Sequence, residues 1–328
     1  MRSLFDVLRE RAQAMKPEIE GFSFDRVRVV LAERNLELRS NLKSWLNHLG
    51  LGQVRVTRRV AEAWSMVADE TPDLLIGDVD LIDGNMCDLF RAVRNQDTGA
   101  NPFVPIIAMS RSANARLARR VIDAGADALL IKPVSTKVVA EKITALIRNR
   151  KSFVVTSDYV GPDRRTISRE GQRSQLIVVP NSLAAKALAH LDDERIRGEI
   201  AAATAEVNER RMVRDVDEIG WLAQRVVANV SGGLHGKDCD AHATRLLHMG
   251  RDLGRRVTGT RFDHVSDLCE SLARLMQSLL NSDVTAEAKE AKLLPYLANA
   301  IRVAFKADEH TAAIARDISD SVTRLDTH

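Results

Sequence analysis

The sequence predicts an α/β domain built on a five-stranded parallel sheet, with an all-α bundle after it. Three patterns carry that prediction. Five apolar runs each lead into an amphipathic helical pattern, a polar stretch rich in Gly, Pro, Ser and Arg interrupts the chain near its middle, and helical periodicity resumes beyond Pro180. At 328 residues the chain is long for one core, which agrees with more than one domain. The expected parts are an N-terminal helical arm over 1–24, the α/β domain over 25–150, a linker over 151–180 and a helical bundle over 181–328.

Leu4, Phe5, Leu8, Ala12 and Met15 share one helical face, which makes the arm a candidate docking helix. Val27 to Ala32 is a short β-branched run. The helix after it carries Leu38, Leu42, Trp45, Leu46 and Leu49 at three-to-four spacing and is closed by Gly50 and Gly52. The same unit recurs as Val54–Thr57 with a helix from Val60 to Asp69, and as Leu74–Asp78 with a helix from Met86 to Arg94. Val104–Ser110 leads into Ala115–Ala124, and Ala128–Ile131 into Thr136–Arg148. Strands alternating with helices in this way form a parallel sheet covered on both faces, whose working site lies outside the carboxyl ends of the strands. Glu33, Arg34, Asp78, Ser110 and Lys132 all fall at those ends. A carboxylate nucleophile, a hydroxyl and an ammonium are the groups an acyl-phosphate site needs.

Residues 25–150 resemble the receiver domain of bacterial response regulators, a flavodoxin-like doubly wound fold. The resemblance is carried by LLIGD ending at Asp78, IIAMS ending at Ser110, DAGADALLIKP from Asp123 to Pro133, and the Asp83-Gly84 pair. It implies that Asp78 accepts a phosphoryl group from a partner's histidine. Lys132 would pair with the carboxylate or phosphoryl oxygens, Ser110 would donate a hydrogen bond, and Pro133 would follow a cis peptide that aims the lysine. It also implies a Mg2+ cofactor held by Glu33 and Asp78, with Asp80, two residues after the acceptor, as a candidate for one further metal oxygen in this chain, and a sensor histidine kinase or phosphotransfer protein as partner.

The chain departs from that family at Arg34. The resemblance places a second metal-binding acid there, but a guanidinium has no acceptor and stays protonated, so it repels the metal and is expected to contact Asp78. The loop from Asp78 to Asp83-Gly84 is also short, and Leu129 stands where many receivers have an aromatic ring. Phosphorylation of Asp78 is therefore expected to be weak or metal-independent. The alternatives are a phosphorylation-independent pseudo-receiver scaffold, or a transcription regulator with an unrecognised DNA-binding motif.

Past Pro180 an apolar stripe runs from Leu188 through Ile196, Ile200, Val207, Val216, Ile219 and Leu222 to Val226, and long stripes need partner helices. Helices resume over Arg245–Leu253, Val265–Leu280 and Leu293–Ala307, with a last one ending near Leu325, which suggests an antiparallel bundle able to dimerise. The segment from His242 to Leu280 is distantly similar to histidine-phosphotransfer domains. Arg251 falls at the position of their histidine, and His248, one turn earlier on the same face, is the candidate replacement.

A formal charge of +3 and no basic recognition helix make nucleic acid an unexpected partner. Three widely spaced cysteines suit a reducing cytoplasm, and the absence of a long apolar run predicts no membrane span. The chain carries no Gly-rich phosphate loop, HExxH or nucleophile elbow, so it is expected not to be an enzyme.

Overall fold

The computed structural model describes residues 21–164, 176–189, 191–231, 237–281 and 291–307. The arm over 1–20 and the last helix near Leu325 lie outside the described residues. Two compact units divide the chain, Met1–Val207 and Asn208–His328.

In the first unit the elements are β1 (Arg28–Ala32), α1 (Leu36–His48), β2 (Gln53–Thr57), α2 (Val60–Glu70), β3 (Leu74–Asp78), the short strands β4 (Asp80–Leu81) and β5 (Gly84–Asn85), α3 (Met86–Asn95), β6 (Ile106–Ser110), α4 (Ala115–Asp123), β7 (Ala128–Ile131) and α5 (Thr136–Arg148). The sheet order is β2-β1-β3-β6-β7, all parallel, which is the flavodoxin-like doubly wound topology. Helix starts are written in the side chains: Asn35, Asn85, Asn114 and Ser135 each accept a hydrogen bond from an N–H in the first turn of the helix they cap. β3 and β6 are buried along their whole length, as central strands between two helical layers must be. Gly77 is required by that packing, because a Cβ there would lie 2.9 Å from Met86 Cε and 3.3 Å from Phe90 Cζ.

The expected linker is corrected by the structure. β8 (Phe153–Val155), β9 (Val160–Pro162) and β10 (Leu176–Ile177) form a separate antiparallel sheet, and Phe153 and Val155 are buried. The physical reason is a pair of arginines. Buried Arg94 donates to the carbonyls of Pro102, Val104 and Gly125 and to Asp127 Oδ2, while Arg150 donates to both oxygens of Asp127 and to Phe103 O. Both guanidinium carbons stand over the Phe153 ring, at 5.1 and 5.0 Å from its centroid. Burial pushes Arg94 down to about 10, with Asp127 opposing that fall, so the group stays charged at neutral pH.

The boundary expected at 181 also moves. α6 (Ser182–Ala189) buries Leu183 and Ala187 in the core containing Leu42, Trp45, Leu46 and Ile143. Lys186, almost fully buried, reaches Asp73 Oδ2 and Asp193 Oδ1, both at 2.8 Å. α7 (Asp193–Ser231) begins in the same unit, where Ile196, Ile200 and Val207 pack with Phe103 and Phe153. Phe24, expected in the arm, is buried with Val27 in the sheet core.

The second unit holds the rest of α7, α8 (Lys237–Val257), α9 (Ser266–Asn281) and α10 (Leu294–Lys306), with Leu222, Leu246, Leu272 and Ile301 fully buried among them. Gly250 and Gly254 let α8 approach α9 closely, since a Cβ on Gly254 would lie 3.2 Å from Cys269 Cβ. Phe262 and Phe305 stack at 4.0 Å. Among the described residues no helix is long and apolar enough to cross a membrane.

Candidate functional site

Parallel register brings the strand tips level. Ala32 pairs with Gly77, Asp78 with Met109 and Ser110 with Ile131, so Glu33, Asp78, Ser110 and Lys132 emerge at one end of the sheet. Asp78 is 2% exposed and Glu33 is fully buried. Charges so placed need partners. Lys132 supplies them: its Nζ donates to Glu33 Oε2 at 2.5 Å and to Asp78 Oδ2 at 2.8 Å. The Lys132–Pro133 peptide is cis, as the resemblance implies. The Ser110 hydroxyl accepts the Ser112 N–H at 3.1 Å, and Ser110 O accepts the Lys132 N–H at 2.7 Å.

Arg34 lies at the expected place. Its Nε is 3.9 Å from Asp78 Oδ2, and its side chain is about one-third exposed. Glu33 is held from two sides, with Oε1 accepting the Asn35 N–H at 2.8 Å and its backbone carbonyl accepting Arg39 Nη1 at 2.7 Å. Asp78 Oδ1 accepts the Asp80 N–H at 3.4 Å, a long bond that leaves this oxygen less engaged than Oδ2. A cleft of about 750 Å3 opens beside the cluster, lined by Arg34, Asn35, Glu37, Arg111, Lys132 and Pro133 among others.

The metal set expected at Glu33, Asp78 and Asp80 is not assembled. Among the described residues no three His, Cys, Asp or Glu side chains converge as a metal site. Asp80 is exposed and turns Oδ1 to the Asn85 amide at 3.1 Å, within the β4–β5 hairpin. Mg2+ wants an octahedron of oxygens, whereas Lys132, Arg34 and Asn35 already direct nitrogens at three of the four carboxylate oxygens of Glu33 and Asp78. The residues present do not fit the ion.

The short loop after Asp78 has its own anchor. Asp83 accepts the N–H groups of Val60 and Ala61 at 2.6 and 3.3 Å and so caps α2 from a distance. His248 lies exposed on α8, and Arg251 donates to Gln277 Oε1 at 3.0 Å. Burial pushes the Cys87 thiol up to about 11 and that of Cys269 up to about 12, which keeps both protonated and inert. Sequence reasoning missed Arg94, Asp127, Arg150 and Lys186. The one available signal was Arg94 itself, which falls four residues after Phe90 on the apolar face of α3.

A family model described as the response regulator receiver domain matches residues 29–144. A curated relative, the gliding motility regulatory protein of Myxococcus xanthus, is 30% identical over 144 residues, 43% of this chain and 18% of that protein. The chain thus matches less than a fifth of that relative's length. Among solved structures, a chemotaxis protein of Vibrio cholerae is 20% identical, with 36% of this chain and 95% of that one covered at a TM-score of 0.33. The receiver domain of a Pseudomonas aeruginosa sensor histidine kinase, solved with magnesium coordinated in its active-site cleft, is 23% identical, covering 36% and 94% at 0.32. With the parallel sheet, the level strand tips and the family match together, residues 29–144 are a response regulator receiver domain.

Proposed function

We propose that this chain is a two-component signalling protein whose receiver takes a phosphoryl group on Asp78 from a sensor histidine kinase or a phosphotransfer protein in the cytoplasm, and whose helical unit carries the output. The observation behind this reading is the pairing of Asp78, buried at the tip of β3, with Lys132 at 2.8 Å through Oδ2 while Oδ1 keeps its lone pairs for attack. Phosphoryl transfer is mostly positioning and charge stabilisation, and Lys132 with Ser110 supplies an ammonium and a hydroxyl at the same sheet end. A population shift between two receiver conformations then needs only a few kcal/mol of differential interaction with the new charge. The helical unit acts by docking or by homodimerisation rather than by histidine chemistry, since Arg251 occupies the histidine position of the phosphotransfer resemblance.

Intact-mass analysis of the full chain after incubation with acetyl phosphate tests this reading. One added phosphoryl group, lost in Asp78→Asn, supports it. An unlabelled wild type leaves the pseudo-receiver scaffold, a reading favoured by the Arg34 guanidinium beside Asp78.

A further inference from the structure

We propose that Arg34 is the resident cation of this site, so that phosphoryl transfer to Asp78 proceeds without a divalent metal. The inference rests on Asp78 being the phosphoacceptor and deepens that reading.

Charge balance is the first support. Glu33 and Asp78 contribute two buried negative charges, and Lys132 and Arg34 contribute two positive ones within 4 Å of them. An acid at position 34 would leave the four groups with a net charge of minus two, the deficit a divalent ion cancels. With Arg34 that deficit is gone, and an incoming dication would meet the repulsion of both the guanidinium and the ammonium. Ligand availability is the second support. Glu33 Oε1 is taken by the Asn35 N–H and Oε2 by Lys132, Asp78 Oδ2 is shared by Lys132 and Arg34, and the Asp80 carboxylate faces Asn85. An octahedral ion would have to displace most of these bonds.

The guanidinium can do electrostatically what the ion would do. It presents a planar fork of N–H donors that matches two phosphoryl oxygens. Its side chain is 36% exposed and lines the open cleft with Arg111 and Lys132, so it can turn from Asp78 toward a group bound there. In the step itself Asp78 Oδ1 forms a bond to phosphorus as the bond to the leaving group breaks. From acetyl phosphate the electron pair leaves on acetate and no proton moves. From a phosphohistidine protonated on its other nitrogen, neutral imidazole departs.

Two measurements on the full chain decide the matter. In calorimetric titration with Mg2+ alone, the wild type is expected to show no saturable binding and Arg34→Asp to acquire it; Arg34→Asn serves as the second variant if the aspartate fails to fold by circular dichroism, and is also expected to bind more tightly than wild type. In acetyl phosphate labelling, the wild type is expected to react equally in EDTA and in Mg2+, and Arg34→Asp only in Mg2+. Saturable Mg2+ binding by the wild type, or wild-type labelling abolished by EDTA, overturns the proposal while leaving Asp78 as acceptor. Absence of labelling in every condition removes the acceptor reading and the transfer step with it, and the calorimetry still decides whether Arg34 excludes the metal.

Discussion

Lys132 holds Glu33 and Asp78 together: one ammonium, at 2.5 Å from Glu33 Oε2 and 2.8 Å from Asp78 Oδ2, bridges two carboxylates buried at one end of the sheet. Removing it should cost stability as well as chemistry. Lys132→Met takes the ammonium from Glu33 and leaves Asp78 with only the Arg34 guanidinium at 3.9 Å, and breaking a buried pair in this way costs about 3–5 kcal/mol. Urea unfolding should show the loss, and Glu33→Gln in the same chain should restore part of it. A Lys132→Met chain as stable as wild type would mean that water already solvates the acids.

The Arg94 fork makes a second, independent prediction. Arg94→Lys keeps the charge but cannot reproduce four bonds to Pro102, Val104, Gly125 and Asp127 at once. Destabilisation by about 3 kcal/mol, seen as a lower urea midpoint with an unchanged slope, is the expected result.

Because Phe153 and Lys186 belong to the first unit, a receiver cut at residue 150 should be weaker than one ending at 207. Phe153→Ala alone should cost about 3–5 kcal/mol by leaving a cavity between Arg94, Arg150 and Phe103. Equal melting of the two truncations would show that the extra sheet is only an attachment.

Acid should loosen both units. Asp193 is held below its ordinary value of 3.8 chiefly by the Lys186 hydrogen bond, against the opposing effect of burial. For Asp252, burial raises the value, but Arg256, Arg255 and Arg211 together bring it below 3.8. A depressed carboxylate contributes stability that is present above its unfolded value and disappears as pH falls through the folded one. Stability against urea should therefore drop below pH 3.8, and Asp193→Asn should flatten that part of the profile for the first unit.

Much of the receiver was legible because its signals are local. Apolar runs, helix periodicity and capping asparagines depend on neighbours in the sequence, and all five strands of the parallel sheet and the helices between them lie within a few residues of where the periodicity puts them. The cluster was legible for a related reason: in a parallel sheet every strand tip points to the same end, so naming the last residues of the strands names the site. The Arg34 departure could be read from side-chain chemistry alone, although its 3.9 Å approach to Asp78 could not.

By itself, then, the sequence determined the alternation of strands and helices in the parallel-sheet domain and which residues would stand at that sheet's carboxyl edge. Only the tertiary structure decided that the Asp80 carboxylate pairs with the Asn85 amide, and that Phe153–Val155, Val160–Pro162 and Leu176–Ile177 form a sheet where a linker was expected. It also decided that Lys186 closes on Asp73, 113 positions away. Hydrophobic periodicity is written along the chain, whereas the burial of a polar side chain depends on a counter-charge that folding brings from far off.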